Sequence, residues 1–390
     1  MTDIEVYSTI VTGFEGIGAS EVSRKIPNAK NVAAGRGFVR FAVEPENLSK
    51  IEDLRSVDNL FVVIYENTII GLREMQKEEA IATIKDQISF MNWKNAIEAW
   101  QIAHKRPIYG GSQKIVEQMR KFMKDGTPSE VSETSPSFRV TCKRAGDKSV
   151  HQFSSMDAAW HFGAHINNVF GWKVDMKKFD IEVYLRIEKD SVSVMMALNG
   201  ESMFKRNIVA YGPTTMRSTV CYCMTALADP KPGEIVVDTM CGGGSIPIEG
   251  AHAFRGVAFF GGDNHPLALQ RCHSNWKENE LNGAFCDFFL WSAVCLPLKS
   301  NSIDAIITDM PFGKKLGSVM DNRILYPKLL EEWKRVLRIG GRLVLLTHDR
   351  RSIDAAILKD RENWRTDSTH MVNMGGLTCL CIRLTNIKCE

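Results

Sequence analysis

Apolar and polar positions follow two different textures along this chain. Over residues 5 to 68 the pattern switches between a period of two and a period near 3.6. "EVYSTIVTG", "RGFVRFAVE" and "NLFVVIYEN" read as strands, "GASEVSRKI" and "NLSKIEDLRSV" as helices, which predicts a small α/β sandwich unit. A helical stretch with Trp93 and Trp100 follows, and then "KDGTPSEVSETSPS", whose polarity and prolines predict a loop or linker. Next, "SFRVTCKRAG" reads as a strand, "MDAAWHFGAHINNVFGW" as a helix, and "FDIEVYLRIEKDSVSVMMAL" as a hairpin turning near Asp190 and Ser191. From residue 207 the texture changes: "EIVVD", "VAFFGGD", "DAIITDMP" and "RLVLLTHD" are nearly continuous apolar runs, as strands covered by helices on both faces are. A doubly wound parallel sheet follows. The last pattern, "STHMVNMGGLTCLCIRL", joins two strand-like runs across Gly375 and Gly376 and predicts an antiparallel pair closing that sheet.

Composition narrows this α/β picture without redirecting it. A chain of 390 residues at 44% hydrophobic content has material for two or three packed domains, which excludes general disorder. A net charge of +3 is too near balance to argue for nucleic acid by itself. Local cations do gather around the second strand, helix and hairpin: Lys143, Arg144, Lys173, Lys177, Lys178, Lys205 and Arg206. Such scattered charges are ordinarily a solvated face. The ten cysteines show no metal-site spacing, and "CYC" and "CLC" fit buried free thiols. An acidic N-terminus and the lack of any apolar run near ~18 residues point to a soluble, cytoplasmic protein with no membrane association.

Candidate chemistry lies in the second half. "EIVVDTMCGGGSIPIEGA" sets Asp238 at a strand end, followed by a turn through Cys241, Gly242, Gly243 and Gly244 and then a helix. Glycines let backbone approach a ligand, and the helix start behind them favours polar or anionic groups. The spacing matches neither G-x-G-x-x-G nor a phosphate loop. Asp263, with Asn264 beside it, closes the next strand about 25 residues later, where an acid can hold both ribose hydroxyls. Asp309 ends a third run in "AIITDMPFGKK", before Pro311 and Phe312. If Asp309 and a carbonyl of Met310 or Pro311 accept the two N–H bonds of an exocyclic amine, its lone pair is aimed at an electrophile. Phe312 can stack on the base that carries the amine. Such a clamp needs positioning rather than a strong base.

In this order, the glycine turn, Asp263 and "DMPF" resemble the class I S-adenosylmethionine-dependent methyltransferases that act on exocyclic amines. With "FRVTCKRAGDKSVHQFSS", "MFKRNIVAYGPTTMRST", "TDMPFGKKLGS" and "VNMGGL", nearly the whole chain resembles the THUMP domain-containing protein 3 family of tRNA guanosine N2-methyltransferases. The resemblance implies a ferredoxin-like domain with a helical extension over 1–105, a linker over 106–137, a THUMP RNA-binding domain over 138–205 and a seven-stranded Rossmann-like methyltransferase domain over 206–390. It implies S-adenosylmethionine as cofactor, held by Asp238, Cys241, Gly242, Gly244, Asp263, Asn264 and Ser292, with Thr214 and Arg217 beside it. Asp309, Pro311 and Phe312 would form the catalytic site. Lys143, Arg144, Lys177, Lys178, Lys205 and Arg206 would contact the tRNA, and a small zinc-binding activator subunit is the implied partner. Two departures stand out. "DTMCGGG" replaces the family's "DPMCGTG", and Ser292 in "LWSAVCLP" replaces an Asp that accepts from the cofactor's adenine, a charge-assisted bond of ~1–3 kcal/mol. The aromatic run "FCDFFLW" is expected at a sheet edge covered by the partner. An alternative is an RNA-binding protein with an eroded cofactor pocket, or an enzyme acting on another RNA's amine.

Overall fold

A computed structural model describes residues 2–108, 110–279, 281–311 and 319–387. The first half runs β1 (Ile4–Ile10), α1 (Glu15–Lys25), β2 (Lys30–Gly35), β3 (Phe38–Val43), β4 (Val57–Thr68), α2 (Lys77–Asp86), α3 (Trp93–His104), α4 (Gly111–Asp125), β5 (Ser137–Arg144), α5 (Ser155–Phe170), β6 (Lys173–Val174), β7 (Ile181–Glu188) and β8 (Ser191–Ala197). These strands form one eight-stranded sheet in the order β2-β3-β1-β4-β8-β7-β5-β6. The seam is the antiparallel pairing of β4 with β8, in which Phe61 faces Ala197 and Thr68 faces Ser191. The two α/β units of this half are thus continuous through backbone hydrogen bonds. Within the expected linker, residues 111–125 are the helix α4. Ile115 is buried and Met119 and Phe122 pack on the core, one apolar stripe at helical spacing, and Gly126 ends the helix at φ 69°. β2 carries no strand signal in the sequence, because its "KNVAAG" is an exposed edge without alternation.

The second half runs α6 (Ser218–Ala228), β9 (Ile235–Asp238), α7 (Ser245–Ala253), β10 (Ala258–Asp263), α8 (Pro266–Asn279), β11 (Phe285–Leu290), β12 (Ile303–Asp309), α9 (Val319–Val336), β13 (Leu337–Thr347), α10 (Arg350–Lys359), β14 (Trp364–Met374) and β15 (Leu377–Asn386). The sheet order β11-β10-β9-β12-β13-β15-β14 is the predicted doubly wound, seven-stranded Rossmann-like arrangement. The five strands from β11 to β13 are parallel, and β14 and β15 are the predicted antiparallel pair turning at Gly375 and Gly376. Strand order reverses between β9 and β12, which is where such sheets open a ligand crevice. The "CYC" thiols lie buried on α6 and the "CLC" thiols buried on β15. No helix among the described residues is long and apolar enough to cross a membrane.

The two halves are fastened through a fully buried carboxylate. Glu249 on α7 accepts from Arg55 Nε at 2.6 Å, from Arg206 Nη2 at 2.9 Å and from Asn207 Nδ2 at 2.7 Å. Removing both arginines would leave the buried Glu249 charge uncompensated, at about 3–5 kcal/mol. Arg24 of α1 donates to the Tyr222 hydroxyl of α6 at 2.9 Å, and Asn373 N–H donates to the Thr12 carbonyl at 2.9 Å. The first half therefore braces α6, α7 and β14 beneath the crevice.

Candidate active site

Three neighbouring parallel strands end in acids: Asp238 on β9, Asp263 on β10 and Asp309 on β12. The polar backbone just past each strand end orients the first two. Asp238 Oδ1 accepts from Met240 N–H at 3.1 Å; Asp263 accepts from Gly242 N–H at 3.0 Å and from His265 N–H at 2.9 Å. Asp263 thus ties the glycine turn to the second strand while keeping lone pairs for a ligand. Burial pushes the Asp238 carboxyl up to about 7 against the hydrogen bond from Met240 N–H, and the Asp263 charge adds to the rise. Burial, then the Asp238 charge, hold Asp309 well above the usual carboxylate range. Its Oδ1 is buried and, among the described residues, has no hydrogen-bond partner. An unmatched buried acceptor is costly, so a donor from a ligand is the natural completion.

The walls explain the glycines. Gly242 sits at φ 55° with open space where a Cβ would point, on the ligand side of the turn. Gly244, at φ 81°, would set a Cβ 2.9 Å from the Phe288 ring, so only glycine fits. On β10 a Cβ at Gly262 would fall 1.9 Å from Trp291, whose Nε1–H donates to the Thr239 carbonyl at 3.2 Å and closes one side of the crevice. Asn275, fully buried on α8, accepts from the N–H groups of Val209 and Ala210 at 2.9 and 2.7 Å and donates to the Gly243 carbonyl at 2.8 Å. It fastens the segment before α6 to the glycine turn. Beyond Asp309, Met310 N–H donates to Leu346 of β13 at 2.9 Å, and the Pro311 carbonyl accepts from the Tyr326 hydroxyl at 2.7 Å. Asn275 and Tyr326 gave no sequence signal, each lying in an ordinary helical stretch.

Three predicted residues, Cys241, Arg217 and Arg206, have side chains engaged away from the crevice. Cys241 Sγ turns away from the open side toward Cys272 Sγ, 3.6 Å off, so only its backbone borders the turn. Arg217 caps α6, lies over the Phe204 ring and pairs with Asp58 of β4 at 3.3 Å, which makes it a fastener between halves. Arg206 is committed to Glu249 in the same way. Thr214, Asn264 and Ser292 are exposed at the rim. Phe312 lies outside the described residues. Lys143, Lys177, Lys178 and Lys205 are exposed, and Arg144 is half-buried near the Phe153 ring. These cations form no single patch: β5 and β7 run parallel with Phe138 beside Ile181 and Arg144 beside Ile187, so Lys143 and Arg144 lie about 20 Å from Lys177 and Lys178 along the strands.

The residues present suit S-adenosylmethionine: an acid with spare acceptors for ribose hydroxyls, a side-chain-free approach at Gly242, and buried acids that a cationic ligand would ionise. The family model for the RMKL-like methyltransferase domain matches residues 206–379, and that for the THUMP domain matches residues 112–197. The chain is 36% identical over 441 residues to "tRNA (guanine(6)-N(2))-methyltransferase THUMP3" of Bos taurus, covering 96% of this chain and 87% of that protein. It is 34% identical over 223 residues to "U6 snRNA (guanine-N(2))-methyltransferase THUMPD2" of Homo sapiens, covering 56% of this chain and 42% of that one. The crystal structure of TrmN from Thermus thermophilus superposes with a TM-score of 0.73 over 98% of this chain and 100% of that one, at 20% identity, and shows the shared fold. With its strand-end acids and glycine turn set on that fold, the chain belongs to the THUMP3 family of S-adenosylmethionine-dependent methyltransferases.

Proposed function

We propose that this protein methylates the exocyclic N2 amine of a guanosine in the tRNA acceptor stem, at the position-6 site named for its relatives. The observation that carries the reading is the buried, unmatched Oδ1 of Asp309 at the strand-order reversal. A guanine amine is a weak nucleophile because its lone pair is delocalised into the ring. Asp309 accepts one of its N–H bonds. The carbonyl of Met310 or of Pro311 accepts the other, since the Pro311 oxygen keeps a second lone pair beside its bond from Tyr326. Together they would turn the nitrogen's lone pair toward the methyl donor. S-adenosylmethionine, when bound, supplies the electrophilic methyl group. Asp263 would hold the ribose hydroxyls, the Gly242 backbone would admit the donor closely, and the Asp238 carboxylate would favour its positive charge. The target amine lies in the groove of a stem, so the guanosine must leave the helix to reach Asp309.

The THUMP half positions the RNA by shape, with Lys143, Lys177, Lys178 and Lys205 available to phosphates. A small zinc-binding activator subunit covers the outer edge at β11, where Phe285, Phe289 and Leu290 are 55%, 40% and 60% exposed. The relative named for U6 snRNA supports a second reading, the same amine chemistry on a different RNA. Titration calorimetry of S-adenosylmethionine tests whether Ser292 leaves a working donor site. Micromolar binding is expected. Absence of binding, with and without the partner, would leave an RNA-binding scaffold.

A further inference from the structure

The Tyr326 hydroxyl does more than touch Pro311. It donates to the Pro311 carbonyl at 2.7 Å and lies 2.9 Å from Thr347 Oγ1, which in turn accepts from Asp349 N–H at 3.0 Å. The ends of this chain fix its direction. A backbone N–H only donates and a carbonyl only accepts, so the Thr347 hydroxyl must donate to Tyr326 and Tyr326 to Pro311. Tyr326 and Thr347 are fully buried, out of reach of competing water. Burial pushes the Tyr326 hydroxyl up to about 12 against the hydrogen bond from Thr347, so it remains a donor at every working pH. The far end is anchored as well. Asp349 caps α10, accepting from Ser352 N–H at 3.1 Å and from Asn322 Nδ2 of α9 at 3.1 Å.

We infer that Tyr326 is a positioning residue for methyl transfer, holding through the Pro311 carbonyl the peptide that sets Asp309 and Met310 against the target amine. The inference rests on the amine-clamp reading above. Three elements act on that carbonyl through one hydrogen bond: α9 brings Tyr326, the end of β13 brings Thr347 to Tyr326, and the cap of α10 holds Thr347 in turn. A phenylalanine at 326 would fill the same volume, so packing alone does not call for the hydroxyl. A displacement of order 1 Å at a reacting amine can lower a rate about a hundredfold. Adjacent hydrogen bonds in one buried chain act as a unit rather than as separate contributions.

The test compares Tyr326→Phe, Thr347→Val and Thr347→Ser with the wild-type protein in complex with its partner, under saturating donor and RNA. Tyr326→Phe is expected to lower kcat about tenfold to a hundredfold, with calorimetric donor affinity and RNA affinity within about twofold of wild type. Thr347→Val should lower kcat less, Thr347→Ser should restore it, and Tyr326→Phe with Thr347→Val should lose no more than Tyr326→Phe alone. A kcat for Tyr326→Phe within about twofold of wild type, or a loss confined to KM with additive effects in the double variant, would overturn the inference. Because each variant is read against the wild type on the same RNA, this outcome is separate from the identity of the methylated base, which the nucleoside product decides. A wild type that methylates no RNA would overturn both.

Discussion

Asp238 carries a pH signature of its own. Its carboxyl, ordinarily at 3.8, is raised to about 7 in the fold. Burial therefore favours the folded protein below the ordinary carboxylate value, and that margin is lost as pH rises through about 7. Donor binding has the opposite sign, because a cationic ligand prefers the ionised acid. We expect the Kd for S-adenosylmethionine to fall as pH rises through about 7, and the slope to flatten in Asp238→Asn. Calorimetry across that interval checks it, and an unchanged slope in the variant would assign the titration elsewhere. The three strand-end acids were legible in the sequence because each sits directly after its own apolar run. Asn275, Tyr326 and Thr347 were not: they matter through hydrogen bonds to residues 15 to 66 positions away. Arg206 and Arg217 were legible only as cations, since a sequence does not reveal that Glu249 and Asp58 engage them.

At the scale of elements, β11 exposes aromatic rings at a sheet edge. Its alternation sends Cys286 and Phe288 inward and leaves Phe285, Asp287 and Phe289 on the other face, where Phe289 stacks on Trp291 at 5.6 Å and lies near Phe260 at 5.8 Å. No helix intervenes between β11 and β12 to cover these rings. As the terminal strand of the sheet it also offers an unpaired backbone edge. Phe285→Ser with Phe289→Ser is expected to abolish co-purification of a small partner while leaving donor affinity within about threefold. A lone wild-type chain that is monodisperse and fully active would remove the partner from the account. The aromatic run was visible in the sequence, and its edge position followed from being the last parallel strand before the reversal. Helix α4 falls inside the expected 106–137 linker because its short stripe of Ile115, Met119 and Phe122 runs straight into the polar tract of 124–137.

At the scale of the molecule, the first half works as one body. The β4–β8 pairing joins segments more than a hundred residues apart, which no local pattern announces, and the Glu249 cluster then fixes this body against the helix that follows the glycine turn. The THUMP half is thereby held in a fixed relation to the crevice. The measurement that tests this account most directly is nucleoside mass spectrometry of tRNA incubated with S-adenosylmethionine and the chain, with and without the proposed partner, beside Asp309→Ala. The wild type should yield N2-methylguanosine in the acceptor stem, and Asp309→Ala should lose about a hundredfold or more of that product while still binding donor. Methylation on adenine N6, or product undiminished in Asp309→Ala, would contradict the amine clamp.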